Sequence, residues 1–190
     1  LNIPEELSRP GTRCLDRARG MLWFYGPEGW HGGEVRLGML EEPLVTLDRC
    51  RHVRLQGLRL AESRGQGVRI QGGSDNLVAG CMFTHLGDDA VTVNGERSGV
   101  QSCDIVDVSS GGIMLDGGDR TTLTPGRNFA RNNHIRAFSR WVRTYKHAIG
   151  VNGVGQHVAH NVMHEAPQEA MFFRGNDHLI EYNEIHDICR

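Results

Sequence analysis

A repeat is what most narrows the folds open to this chain. From residue 45 onward, glycine-flanked apolar triplets return at nearly constant intervals: Val68-Arg69-Ile70, Val91-Thr92-Val93, Ile113-Met114-Leu115, Ile149-Gly150-Val151 and Met171-Phe172-Phe173. Their first residues are 23, 22, 36 and 22 apart. A second column follows (Leu58, Cys81, Cys103, Asn133, Asn161, Asn183), and a third lies two residues on (Leu60, Phe83, Ile105, Ile135, Met163, Ile185). Insertions around Thr121–Arg127 and Ser139–Lys146 account for the longer intervals, so six turns of the repeat share one register. Such self-similarity has to be read before anything else, because it decides the architecture.

Each turn of the repeat has one grammar. An apolar-x-apolar triplet puts two side chains on one face and one on the other, as the period of two in a strand requires. A polar turn, a second short strand, a corner and a third short strand complete it. Consecutive strands lack the two-residue turns of hairpins, and helical periodicity is absent. Stacking each strand on its equivalent one turn later, about 4.8 Å away, satisfies the backbone and buries a continuous apolar column. The expected fold is therefore all-β, a right-handed parallel β-helix of about six coils of some 22 residues over residues 45–190. Residues 1–44 fall outside the repeat. Segments at Arg13–Leu15, Leu22–Tyr25 and Val35–Leu40 read as a small N-terminal β module covering the first coil. Coil six runs to the last residues, Cys189 and Arg190, so an uncovered end and a truncated solenoid are expected.

The corner asparagines Asn133, Asn161 and Asn183 are expected to adopt a left-handed backbone and to stack their carboxamides, each donating to the next coil. Cys81 and Cys103 fill the same column as small, weakly polar side chains. The five cysteines match neither a disulfide framework nor metal-ligand spacing, and leave the compartment open. A net charge of −2 gives no reason to expect nucleic acid or an anionic membrane as partner, and no apolar run approaches the ~20 residues that span a bilayer. Arginine outnumbers lysine 20 to 1, without marked clustering. The ten histidines read as scattered side chains rather than a zinc site, so neither metal nor other cofactor is expected.

The chain resembles the right-handed β-helix proteins of the pectate-lyase-like superfamily and, more narrowly, bacterial proteins of glycoside hydrolase family 141. The stretches that carry the resemblance are Arg9–Arg17 (RPGTRCLDR), Gly20–Phe24 (GMLWF), Gly117–Arg120 (GGDR), Leu123–Gly126 (LTPG), Phe138–Trp141 (FSRW) and Gly175–His186 (GNDHLIEYNEIH). The resemblance implies a carbohydrate-active protein, foremost a glycoside hydrolase, with a polysaccharide or oligosaccharide partner and an extracellular or periplasmic location. It also implies a site on the outward face of the first strand of each coil. A catalytic pair lying partly beyond Arg190 is consistent with it.

By register, the residues just after the triplets form a polar row of Gln71, Asn94, Asp116, Asn152 and Arg174, while Asp88, Asp89, His147 and Glu169 lead into the strands. This row is either a solvated turn or a sugar-binding groove with Asp116 at its focus. Hydrolysis of a glycosidic bond takes two carboxyls, ~5–5.5 Å apart for retention or ~6.5–9.5 Å for inversion. Asp116 and Asp119, in one turn, are the candidate catalytic pair; Asn94, Asn152 and Arg174 are candidate binding residues. In the Ser139–Lys146 insertion, Trp141 and Tyr145 could stack on a sugar ring and Arg140 could hold a uronate. A polysaccharide lyase would want Ca²⁺ held by clustered acids and a basic residue, for which this face shows too few carboxylates. A non-catalytic glycan-binding or structural β-helix is the other alternative.

Overall fold

In a computed structural model of the 190-residue chain, residues 3–189 are described; Arg190, where coil six was read to finish, lies outside them. The chain divides into two compact units, Leu1–Arg36 and Leu37–Arg190. In the first, Arg13–Asp16 pairs antiparallel with Met21–Phe24 around the buried Cys14, and Phe24 meets Trp30 edge to face at 5.6 Å. The third expected strand, Val35–Leu40, does not form. Residues from Leu37 onward join the second unit instead, where the Leu40 carbonyl accepts from the amides of Arg64 and Gly65.

The second unit is a solenoid of three six-stranded parallel sheets. The first sheet contains Val45–Asp48, Val68–Ser74, Val91–Glu96, Ile113–Asp116, Ile149–Val151 and Met171–Phe173. Arg54–Gln56, Leu77–Ala79, Gly99–Gln101, Phe129–Arg131, His157–Ala159 and Leu179–Glu181 make the second. Arg59–Ser63, Met82–Leu86, Asp104–Val106, His134–Arg136, Val162–Ala166 and Glu184–Ile188 make the third. The register is the one expected: Val45, Val68, Val91, Ile113, Ile149 and Met171 are successive partners, as are Leu60, Phe83, Ile105, Ile135, Met163 and Ile185. Both columns point inward, and Val68, Val91, Ile113, Ile149, Phe83, Ile105, Ile135 and Met163 are fully buried. The insertion at Thr121–Arg127 leaves the helix as a small antiparallel pair, Gly118–Asp119 with Thr124–Pro125.

The carboxamide stack forms as expected. Asn133 Nδ2 donates to Asn161 Oδ1 at 2.9 Å, and Asn161 Nδ2 to Asn183 Oδ1 at 2.9 Å. The left-handed residue, however, is the one before each asparagine: Asn132, His160 and Tyr182 have φ of 54°, 58° and 52°. The chain turns its corner there, which leaves the asparagine free to reach across coils. A second polar ladder, unforeseen from the sequence, runs up the corner between the first and second sheets. There the backbone amides of Asn76, Ser98 and Asn128 donate in turn to the side chains of Ser98, Asn128 and Gln156, and the Gln156 amide donates to His178. Asn76, Ser98, Asn128 and Gln156 are all buried. The signal was present, since these residues stand five positions before Cys81, Cys103, Asn133, Asn161 and Asn183 throughout. Mixed residue types hid it.

Candidate functional site: a groove over the first sheet

Parallel register turns single polar residues into a row. Gln71, Asn94 and Asp116 are direct partners across adjacent strands, and Asn152 and Arg174 follow, their amides donating to Leu115 and Val151 carbonyls. Asp48 begins the same row, one coil before the residues picked out by the triplets. Each member from Gln71 on is followed by glycine, because the backbone turns under the previous coil: a Cβ on Gly117 would lie 2.4 Å from the Gly95 carbonyl oxygen. The buried ladder fixes this turn from behind. Asn128 Nδ2 donates to the Asp116 and Gly95 carbonyls, and Gln156 Nε2 to those of Gly117 and Asn152.

Above the row lies an open groove of about 280 Å³ lined by Thr92, Asn94, Met114, Asp116, Asn152, Phe172 and Arg174, with Val93, Leu115 and Val151 contributing. Asp116 Oδ1 accepts from the Gly117 amide at 2.7 Å, and its Oδ2 accepts from Asn152 Nδ2 at 3.3 Å. The Arg174 guanidinium lies 5.6 Å over the Phe172 ring, which holds it at the groove without a carboxylate partner among the described residues. Gly150 leaves room beside Met114; a Cβ there would come 2.4 Å from the Met114 sulfur. The groove therefore offers an apolar floor, one carboxylate, two carboxamides and one guanidinium.

Asn94, Asp116, Asn152 and Arg174, four of the residues singled out from the sequence, thus line one groove. The other four do not. Asp119 sits in the antiparallel insertion, where its Oδ1 accepts from the Thr121 amide at 2.8 Å; that bond keeps its carboxyl below the usual range and leaves it poorly suited to give up a proton as an acid. Arg140 is drawn to Asp107 at 2.6 Å. The Trp141 amide donates to the Ser109 carbonyl, and the Tyr145 amide to Gln168 Oε1 at 2.6 Å, which hold the insertion to its own corner. Asp89, read as leading into a strand, is a structural anchor: it accepts from Ser110 Oγ at 2.6 Å and the Gly111 amide at 2.7 Å, with Lys146 Nζ at 3.5 Å.

The histidines are less scattered than their spacing suggests. His134, His164 and His186 face one another on the third sheet, with His134 Nε2 and His164 Nε2 at 2.8 Å and the rings of His164 and His186 stacked at 4.6 Å. Among the described residues no three His, Cys, Asp or Glu side chains converge to hold a metal ion, and all five cysteines are free thiols. Burial pushes the Cys103 thiol up to about 11, so it stays protonated and packs as a core side chain.

Desolvation, outweighing the pull of Glu169, lowers the His147 pKa; desolvation likewise lowers that of His164 against the pull of Glu165. Both rings are held neutral in the fold, so on acidification the unfolded chain takes up these protons first, near its ordinary value of about 6.5. Their contribution to stability is complete above that pH and is lost as pH falls through it. Thermal melts should show a lower midpoint at pH 5.5 than at pH 7.5, and His147→Gln should flatten the difference. An unchanged slope in that variant would remove His147 as a cause. The lowered carboxyl of Asp75, at about 2, acts in a more acidic window.

Three stacked parallel sheets, a three-sided core and polar ladders at the corners define a parallel β-helix protein, here with its groove on the first sheet. The chain belongs to the right handed beta helix family, whose description, "Right handed beta helix region", matches residues 44–140, just over half of its length. No curated protein and no solved structure matches it. These comparisons carry the β-helix; they lend no support to the narrower resemblance to glycoside hydrolase family 141. Among the described residues, no helix is long and apolar enough to cross a membrane.

Proposed function

We propose that this is a carbohydrate-active β-helix whose first-sheet groove grips an extended polysaccharide. One observation carries the reading: a single groove brings Asn94, Asp116, Asn152 and Arg174 into a row beside the partly exposed ring of Phe172. Sugars present hydroxyls at the ring edge and apolar C–H faces, so they match a row of mixed donors and acceptors next to an aromatic surface. Coils about 4.8 Å apart supply such a row along a chain of sugars rather than one cup for one ring. Arg174 extends the choice to acidic sugars, since a planar guanidinium takes a carboxylate by two parallel bonds.

Glycoside hydrolysis, implied by the family 141 resemblance, is the finer reading and asks for a second carboxyl beside Asp116. Among the described groove-lining residues Asp116 is the sole acid. Glu169 precedes the strand Met171–Phe173, whereas Asp116 closes its own strand two coils earlier, so strand rise and coil spacing together separate the two carboxyls by well over ~10 Å, too far for that pairing. Glycan binding is thus what the geometry supports best.

Affinity electrophoresis and calorimetry against a panel of plant and microbial polysaccharides test the proposal. At least one should bind, and Asp116→Asn should weaken that binding about tenfold to a hundredfold, the worth of one hydrogen bond to a charged group. The melting midpoint should barely move, because asparagine can still accept from the Gly117 amide. Failure of every polysaccharide to bind, or equal binding by the variant and by Arg174→Ala, would refute the groove.

A further inference from the structure

Beside Phe172, which lines the groove, two side chains stand in an arrangement that sugar binding does not require. His147 is buried, and its Nδ1 is the one buried side-chain polar atom among the described residues that lacks a hydrogen-bond partner. Nδ1 lies 3.2 Å from Glu169 Oε1, within ion-pair distance but out of line for a hydrogen bond. The ring lies face to face with Phe172, centroids 5.1 Å apart and planes 17° from parallel, and Phe172 lines the groove. Lys146, the neighbouring cation, is turned to Asp89 at 3.5 Å.

We propose that His147 and Glu169 form a proton-accepting dyad of this groove, with His147 Nε2 as the acceptor atom and Glu169 as its positioning carboxylate. The proposal rests on the groove reading above. A dyad of this kind needs a base whose second nitrogen is oriented by a third group. Here Glu169 selects the tautomer with the proton on Nδ1, which leaves the Nε2 lone pair without a hydrogen-bond partner among the described residues. The substrate proton is that of a sugar hydroxyl, or of a water, bound beside Phe172. When it moves to Nε2, the O–H electron pair stays on oxygen and the ring becomes an imidazolium. Glu169 then faces that cation, so one negative charge on oxygen and one positive charge on the ring are made together. Phe172 fixes the ring plane.

The central test needs no glycan. On the whole chain at pH 8, long-range ¹H–¹⁵N NMR should show His147 as the Nδ1–H tautomer, and diethyl pyrocarbonate should acylate its Nε2, read by peptide mass spectrometry. Glu169→Ala should mix the tautomers and slow that acylation, because less of the ring then carries its free lone pair on Nε2. Glu169→Gln, which keeps an accepting oxygen of the same shape, should restore most of it and covers the event that the alanine variant folds poorly. An Nε2–H tautomer, an unreactive His147, or equal rates in the wild type and Glu169→Ala would overturn the dyad. A polysaccharide that binds the groove should also shield His147 from the reagent. Binding without shielding would place the dyad outside the groove and overturn its role. Expected tautomer and reactivity with no polysaccharide bound would instead sink the groove reading, and leave the dyad without its substrate.

Discussion

Replacing Asn161 with leucine should cost the β-helix roughly 3–5 kcal/mol, one of the largest losses open to a single side chain in it. Asn161 is fully buried and sits mid-stack. Its Oδ1 accepts from the backbone and side-chain nitrogens of Asn133, at 3.0 and 2.9 Å. Its Nδ2 donates to the carbonyls of Ala130 and Ala159 and to Asn183 Oδ1. Leucine keeps the same branched heavy-atom skeleton, in a somewhat larger volume, and supplies none of these bonds. The Asn133 amide is then stranded away from water, and a buried orphan of this kind costs about 1–3 kcal/mol by itself. For a chain of this size the midpoint should drop by roughly 10 °C. The chain contains its own control, because Cys103 fills the same column and its sulfur accepts from the Cys81 amide at 3.4 Å. Asn161→Cys should therefore lose distinctly less than Asn161→Leu. Equal losses would mean that volume, not hydrogen bonding, decides this column.

The same column shows what could be read from the sequence. A stacked asparagine announces itself because the residue type repeats at the coil period, and so do the apolar triplets; register and sheet number follow from those two signals. The ladder of Asn76, Ser98, Asn128, Gln156 and His178 keeps the same period but changes residue at every coil. Any acceptor of suitable reach can take the backbone amide of the coil before, so position is constrained there and identity is not. The groove was partly legible for a related reason. Asn94 and Asp116 sit on regular strands and Asn152 and Arg174 directly follow them, so the alternation of faces gives each direction in advance. Asp119, Arg140, Trp141 and Tyr145 belong to insertions, which have no coil above or below to hold them in register. Their directions follow from local partners such as Thr121, Asp107, Ser109 and Gln168, which periodicity does not identify. His147 and Glu169 lie between these cases. Each was visible as a turn residue entering a strand, but their meeting at 3.2 Å depends on how adjacent coils close.

Gly153→Ala should be as damaging as the loss of Asn161, at roughly 3–5 kcal/mol, and should also destroy the groove. Gly153 has φ +83°, and a Cβ there would lie 2.0 Å from the carbonyl oxygen of Gly117 in the preceding coil. That oxygen cannot step aside, since it accepts from the Val154 amide at 2.9 Å and from Gln156 Nε2 at 2.8 Å. The methyl group must therefore lift coil from coil, beside Asn152 and its bond to Asp116. Left-handed strain alone is the smaller part, about 1–3 kcal/mol. Gly80 separates the two effects, because it has φ +57° and nothing within 4 Å of an added Cβ. Gly80→Ala should pay the strain only, with glycan binding intact. Gly153→Ala should lose both stability and binding, measured by denaturant melts and by calorimetry with whichever polysaccharide the panel identifies. A Gly153→Ala protein as stable as Gly80→Ala would show that the coils tolerate a side chain at that turn. The glycine that follows each groove residue would then be dispensable to the row, and the stacked turns would not be what holds Asn94, Asp116, Asn152 and Arg174 in line.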